Sequence, residues 1–135
     1  MAFILESTDD GAATIVRNEI PMTDSEAGLY GEGVVATTAA LTKVAATAAP
    51  QFILKKATAA GTGVATEYVA VRRDQIWLAD ITNGAASLVA AVIGNKVIRV
   101  NAAGTGIDAG ALTGGKCEII SVDTVTSKAR VRFDL

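Results

Sequence analysis

The stretch CEIISVDTVTSKARVRFDL (residues 117–135) decides the fold class, because apolar and polar side chains alternate along it. In the closing part, every second residue from 129 to 135 is apolar and the residues between them are charged. A period of two is the signature of a half-buried β-strand. The intervening VDTVTSK (122–128) has the composition of a hairpin loop. The stretch therefore predicts an antiparallel pair of strands near the C-terminus.

Strand-like runs continue upstream to residue 33, separated by glycine, threonine or proline. They read GVVAT, LTKVA, QFILKK, EYVAVRR, QIWLADI and NKVIRVN. Two segments could form a helix. TTAALTKVAATAAP (37–50) is compatible with a helix or with a strand followed by a loop. SLVAAVIG (87–94) is long enough for two helical turns. We therefore predict a mainly β protein, a compact antiparallel β-barrel or β-sandwich with at most one short helix.

The stretch KVIRVNAAGTGIDAG (96–110) imitates a dinucleotide-binding fingerprint, because G-x-G-x-x-A follows a strand-like run. In a true fingerprint the last glycine opens a helix whose N-terminus meets the pyrophosphate. Here the following IDAGALTGGK (107–116) is too rich in glycine for a crossover helix. AAGTG also occurs earlier, at 59–63, between apolar runs. Both copies therefore predict tight turns in which glycine supplies a positive φ.

Residues 1–32 differ from the rest in charge and periodicity. They carry seven acids, among them Asp9 and Asp10, against Arg17 alone, whereas residues 33–135 carry eleven basic groups against seven acids. This division predicts an extended acidic N-terminal arm (1–32) joined to a single β-rich domain (33–135). The arm either keeps the chain soluble or docks on a basic surface of another copy or of a larger partner.

The composition excludes several classes of chemistry and of partner. The chain has no histidine and one cysteine, so zinc sites built from these residues and histidine-dependent triads are excluded within one chain. No apolar run is long enough to cross a bilayer, and the start MAFILESTDDG lacks the basic region of a signal peptide. We therefore expect synthesis in the cytoplasm, no membrane partner, and no metal or cofactor.

One cluster, EYVAVRRDQIW (67–77), combines arginine with aromatic residues. Arginine and tryptophan are enriched in interface hot spots, so Arg72 and Arg73 are candidate interface residues and Trp77 is a core or interface anchor. A nucleic-acid interface is disfavoured, because binders of single strands spread aromatics over a basic groove, whereas this chain has few aromatics and a net charge of −2.

Two carboxylates, Asp74 and Asp80, fall on one strand face, as a catalytic pair would. Glycosidic chemistry also needs aromatic platforms for the sugar, and only 4% of the residues are aromatic. A solvated strand face is the better interpretation. We therefore predict that the protein is not an enzyme, with a small enzyme using an unrecognised carboxylate site as a remaining alternative.

The stretches YGEGVVATTAALTKVA, QFILKKATAAGTG, VRRDQIWLADI and GGKCEIISVDTVTSKARVRFDL, in a chain rich in Ala, Thr and Gly, together resemble the small capsid decoration (cement) proteins of tailed bacteriophages. The resemblance covers most of residues 30–135 and rests on overall pattern, since these proteins share no diagnostic motif. It implies a virion protein on the outer surface of the expanded head, commonly a trimer, that clamps neighbouring major capsid subunits.

With this resemblance in mind, we assign hypothetical roles to two sets of residues. The first set would bind the capsid: Phe3, Ile4, Leu5, Glu19, Asp24 and Glu26. The second would contact sibling subunits: Arg72, Arg73, Trp77, Arg130 and Arg132. The alternative from another class is a β-rich adhesin or fibre module on a particle or cell surface, which would normally carry an export signal.

Overall fold

A computed structural model describes residues 2–8 and 15–135 of the chain. Asp9 and Asp10 of the predicted arm lie outside the described residues. Within the described part the chain forms nine strands and one short helix. Their bounds are β1 Ile4–Thr8, β2 Gly33–Thr37, β3 Ala40–Lys43, β4 Phe52–Leu54, β5 Tyr68–Ala70, β6 Gln75–Thr82, α1 Ala86–Ala90, β7 Gly106–Asp108, β8 Cys117–Asp123 and β9 Lys128–Phe133.

The first sheet contains β1, β6, β7, β8 and β9, with the order β1-β6-β9-β8. β8 and β9 form the predicted antiparallel hairpin, and β9 pairs with the long strand β6. The other edge of β6 is shared, since β1 pairs antiparallel with its first half and β7 pairs parallel with its second half. The two central strands of this sheet, β6 and β9, alternate between buried residues and residues that are half-buried or, at Arg130, exposed.

The second sheet has the order β3-β2-β4-β5 and is antiparallel throughout. Its strands are short, and β2 and β3 are joined by a two-residue turn at Thr38 and Ala39, whose φ angles are 49° and 64°. Two positive φ values at the central positions define the type I′ turn that matches the twist of a hairpin. The interpretation of 37–50 as strand plus loop is therefore confirmed.

The two sheets pack face to face around one main core. Residues from β6, β8 and β9 meet Ile53 of β4 and Val69 of β5, and the rings of Phe3 and Phe133 contact edge to face with centroids 5.2 Å apart. The sheets do not close into a barrel, so of the two predicted architectures the sandwich is the one adopted. The predicted short helix is α1, which lies in the connection from β6 to β7.

The segment predicted as an extended arm is built into this domain. β1 is a strand of the first sheet and Phe3 is 1% exposed. Met22 lies in a second apolar cluster on the far face of the second sheet, together with residues of β2 to β5. The arm prediction was wrong for the described residues, because the apolar side chains of Phe3 and Met22, although isolated in the sequence, pack against the sheets. The described parts of residues 2–32 are therefore part of the sandwich rather than an extension from it.

Both copies of AAGTG lie in connections between strands, and Gly63 of the first copy has a φ of +58°. In the second copy Gly104 has a φ of +73°, and Val100 and Ile107 form an antiparallel bridge across the turn. Gly106 begins β7 instead of a helix, and a Cβ there would lie 2.4 Å from the backbone oxygen of Asp80. The glycines therefore serve a tight turn and a close strand approach, and the fingerprint geometry is not formed.

Candidate partner-binding face

The outer face of the first sheet turns away from the core and remains half-exposed. Because side chains of a strand alternate between faces, burial of Trp77 and its alternate neighbours turns Ile76, Leu78 and Asp80 outward. On β9 the same alternation buries Ala129, Val131 and Phe133 and turns the basic residues outward. These basic residues are Lys128, Arg130 and Arg132. We refer to this surface, together with Ile4 and Glu6 of β1, as the outer face.

The basic ladder of β9 is neutralised in part by acids from neighbouring strands. Lys128 Nζ lies 2.6 Å from Asp80 Oδ1 on β6. Arg130 binds Glu6 of β1 through two contacts, Nε to Oε2 at 2.7 Å and Nη2 to Oε1 at 2.8 Å. This parallel two-bond geometry is the strongest form of an arginine–carboxylate pair, although exposure to water keeps its net contribution to stability small.

Two pKa shifts reflect these pairs. Burial alone would raise the pKa of Asp80, but hydrogen bonds from Lys128 and from the Ala2 N–H, with the charge of Lys128, outweigh it and lower the pKa. The hydrogen bond to Glu6 raises the pKa of Arg130 further above its usual range. Asp80 and Arg130 are therefore both charged throughout the physiological pH range.

An irregularity in β1 brings Glu6 within reach of Arg130. The register between β1 and β6 shifts between Leu5 and Ser7, so that Glu6 occupies a β-bulge. Bulges commonly re-aim a side chain. In the regular part of the sheet, Ile4 lies opposite Leu78, which in turn lies opposite Arg130. An apolar pair therefore lies beside the arginine–carboxylate pair.

Ile4 is the most exposed apolar side chain of this row, at 42% of its surface. Leu78 next to it is half-buried. Ile120, also half-buried, adds an apolar side chain on β8, at the opposite edge of the sheet. Apolar side chains interleaved with arginine are typical of the core of a protein interface.

One end of the outer face continues into a shallow groove of about 380 Å³. It is lined by Arg73, Asp74, Lys96, Glu118, Arg132, Phe133 and Asp134. At this end Arg73 donates a hydrogen bond to the backbone oxygen of Leu135, and Arg72 pairs with Asp74 at 3.1 Å. Of the residues predicted for subunit contacts, Arg73 and Arg132 therefore share one groove, and Arg130 lies on the same strand as Arg132.

Two predicted contact residues lie in the core instead. Phe3 packs against Phe133 and Trp77 has no exposed surface. Leu5 is partly buried against the same core. In this structure these three residues hold the first sheet to the second, so of the apolar residues predicted to bind the capsid, Ile4 is the one on the surface. The apolar character of these residues was recognised in the sequence. Which face of the sheet Phe3 and Leu5 occupy, however, depends on the pairing register of β1.

The three predicted capsid-facing acids accept hydrogen bonds within the chain. Glu26 binds the Thr42 hydroxyl and the Lys43 N–H, each at 2.8 Å. Asp24 accepts the N–H of Gly63 at 2.8 Å, and Glu19 accepts the hydroxyl of Tyr68 at 3.2 Å. These acids tie residues 19–26 to the second sheet and its loops. Backbone hydrogen bonds, chiefly its own, lower the pKa of Glu19.

Sequence reasoning missed Glu6 and Lys128 as members of the outer face. Neither belongs to a motif, and their pairing depends on strands that are distant in the chain. Asp80 was noted only for its spacing from Asp74. The alternation of residues 128–133 already placed Lys128 beside Arg130 and Arg132, and this was the one signal that could have found it.

The described residues contain no group of three or more acidic, histidine or cysteine side chains arranged to hold a metal ion. Cys117 is fully buried, and burial raises the pKa of its thiol far above the ordinary value. Within residues 2–8 and 15–135, no helix has the length and apolar character needed to cross a membrane.

Comparison of the sequence with protein-family models and with curated proteins gives no match.

Proposed function

We propose that the protein is a structural virion component that binds the outside of an expanded phage head through the outer face and clamps neighbouring major capsid subunits. The observation that carries the proposal is the outer face itself, a row of apolar and arginine side chains on paired strands. The protein acts without catalysis, cofactor or nucleic acid, on the outer capsid surface. It works as a homo-oligomer, with a trimer favoured by the resemblance.

The chemistry of the outer face suits such attachment. Ile4 and Leu78 supply apolar area, and Arg130, which binds Glu6 through Nε and Nη2, has further N–H donors for a partner carboxylate. Because these side chains stand on hydrogen-bonded strands, binding orders few additional groups and so loses little conformational entropy. Many copies on one lattice then multiply weak contacts through avidity. A protein that binds only the assembled, expanded head stabilises that state by linkage.

The experiment is co-sedimentation of the purified protein with expanded heads and, separately, with unexpanded proheads of the matching phage. We expect saturable binding to expanded heads alone, weakened by salt because charged contacts are screened. Binding to neither particle would overturn the proposal and favour the adhesin or fibre module. Equal binding to both particles would contradict the proposed preference for the expanded head.

A pair of matched variants tests the surface. Ile4→Asn removes an exposed apolar side chain from the outer face. Ile15→Asn makes the same change at a residue that is 71% exposed and lies two positions before Arg17, which bridges Tyr68 of β5. We expect Ile4→Asn to weaken head binding on the order of tenfold, since the minority of interface residues whose truncation costs more than about 1 kcal/mol cluster near the centre of an interface. Ile15→Asn should leave head binding unchanged. Equal effects would exclude the outer face as the binding surface.

A further inference from the structure

Three consecutive residues, Gly31, Glu32 and Gly33, connect elements of both sheets, and we name them the 31–33 junction. The carbonyl of Gly31 accepts the N–H of Phe3, which leads into β1, at 2.9 Å. The N–H of Gly33 donates to the carbonyl of Gly104, in the turn before β7, at 2.7 Å. The junction therefore holds the start of β1 and the Gly104 turn to the first strand of the second sheet.

Glu32, at the centre of the junction, is 2% exposed and is the one ionisable acid or base among the buried polar residues that the structure describes. Its carbonyl accepts the N–H of Leu54 at 3.0 Å, so its backbone is fixed in the second sheet. Its side chain lies against Gly104, where an added Cβ would be 3.3 Å from the Glu32 Cγ. The Oε2 atom has no hydrogen-bond partner among the described residues.

The groups facing the Glu32 carboxyl shift its pKa in opposite directions. Burial is the largest influence and raises its pKa. The N–H of Leu29 and the charge of Lys43 on β3 lower the pKa, and the charge of Glu26 raises it. The turn that contains Gly104 reads NAAGTG and brings no titratable group. The net result is a pKa above the ordinary value for glutamate.

We propose that the 31–33 junction is a proton-controlled joint, closed when Glu32 is protonated and locally open when Glu32 is ionised. A buried carboxylate with an unpartnered oxygen gains free energy by reaching water. The Gly104 turn and the turn at residues 29–31 close the site, so one of them has to move for the carboxylate to reach solvent. Opening thus loosens the connection between β1 and the second sheet, without unfolding either sheet.

The sign of the pH dependence follows from the raised pKa. The contribution of Glu32 to folding stability is fully present below the ordinary pKa of glutamate and is lost as the pH rises through the higher, folded-state pKa. Asp80 acts in the opposite sense, because its pKa is lowered and its contribution is lost as the pH falls. Glu32→Gln isolates the first effect, since it keeps the shape of the side chain and removes its titration.

The test is amide hydrogen exchange at the junction between pH 4 and pH 8, normalised to amides of β6 so that base catalysis of exchange cancels. At the upper end we expect Gly31 and Gly33 to exchange faster in the native protein than in Glu32→Gln, on the order of tenfold for each unit by which the pKa is raised. At the lower end the two proteins should agree. Identical profiles across the range would overturn the proposal.

Two further measurements complete the test. Glu67→Gln changes an exposed glutamate directly before β5 and should leave the pH dependence of amide exchange at the junction as it is in the native protein. A carbon NMR titration of the Glu32 carboxyl in the native protein does not depend on the folding of any variant. A midpoint above the ordinary value for glutamate supports the joint, and a midpoint at or below that value overturns it.

Discussion

The two sheets solve the problem of burying apolar surface in different ways. The first sheet has long strands with one buried face, and its outer face stays half-exposed. The second sheet has short strands buried on both faces, one against the first sheet and the other beneath residues around Met22. The outer face of the first sheet is therefore accessible to a partner, whereas the corresponding face of the second sheet is covered by residues of the same chain.

The edges of the sheets differ in the same way. Thr23 donates to the carbonyl of Leu41 at 2.9 Å, and Leu41 donates to Pro21 at 2.8 Å, which completes the β3 edge. At the opposite edge, Arg17 and Tyr68 exchange two backbone hydrogen bonds. Both edges of the second sheet are thus covered by the acidic N-terminal segment. Covered edges resist pairing with other chains, so the second sheet is the less suitable of the two for the proposed binding.

Loss of an aromatic ring from the main core should have the largest effect. Phe133→Ala removes a ring that is 1% exposed and that packs against Phe3. We expect the free energy of unfolding to fall by about 4 kcal/mol, because the lost transfer energy is added to that of a cavity. Urea unfolding followed by far-ultraviolet circular dichroism measures it. A loss below about 1 kcal/mol would mean that this core does not hold the sheets together.

Met22→Ala tests the dependence of the second sheet on the N-terminal segment. We expect a loss of about 3 kcal/mol from the far-face cluster. Hydrogen exchange should also accelerate at Thr23 and Leu41 more than in β6, because the edge contact is loosened. Uniform acceleration across both sheets would show instead that they open as one unit.

Glu26→Gln tests the carboxylate that binds Thr42 and the Lys43 N–H. We expect a loss of about 1 kcal/mol, since a charge-assisted acceptor becomes a neutral one that can satisfy fewer donors. Thermal unfolding at neutral pH measures the change, with Glu67→Gln as the matched surface control. If both variants behave alike, the hydrogen bonds of Glu26 contribute nothing measurable to the second sheet.

Glu6→Gln should have the smallest effect on stability, because its pair with Arg130 is exposed to water and such pairs contribute little. The loss should shrink at high salt, where charged pairs are screened. Chemical denaturation at low and high salt measures it. A loss as large as that of Glu26→Gln would show that charge pairs stabilise the outer face as much as they stabilise the second sheet, so the two sheets would not differ in this respect.

The alternation in residues 117–135 was sufficient to predict β8, β9 and their pairing, and with them the position of Arg130 and Arg132 on one face. The strands of the second sheet were recognised as apolar runs, although burial on both faces removed any alternation that could indicate their neighbours. β7 was missed because GID is short and lacks a pattern. The environments of Phe3 and Glu26 depend on contacts with distant strands, which no local pattern of residues 1–32 encodes.

The pairing of β1 with β6 also sets the order in which the fold can form. Ile4 pairs with Leu78, so the first strand has no sheet until the chain has been synthesised past β6. At about 5 to 20 residues per second, that delay is roughly 4 to 15 seconds. β6 in turn pairs with β9 near the end of the described chain. A sheet assembled from such distant segments folds slowly, because loop closure has to precede the contacts that stabilise it.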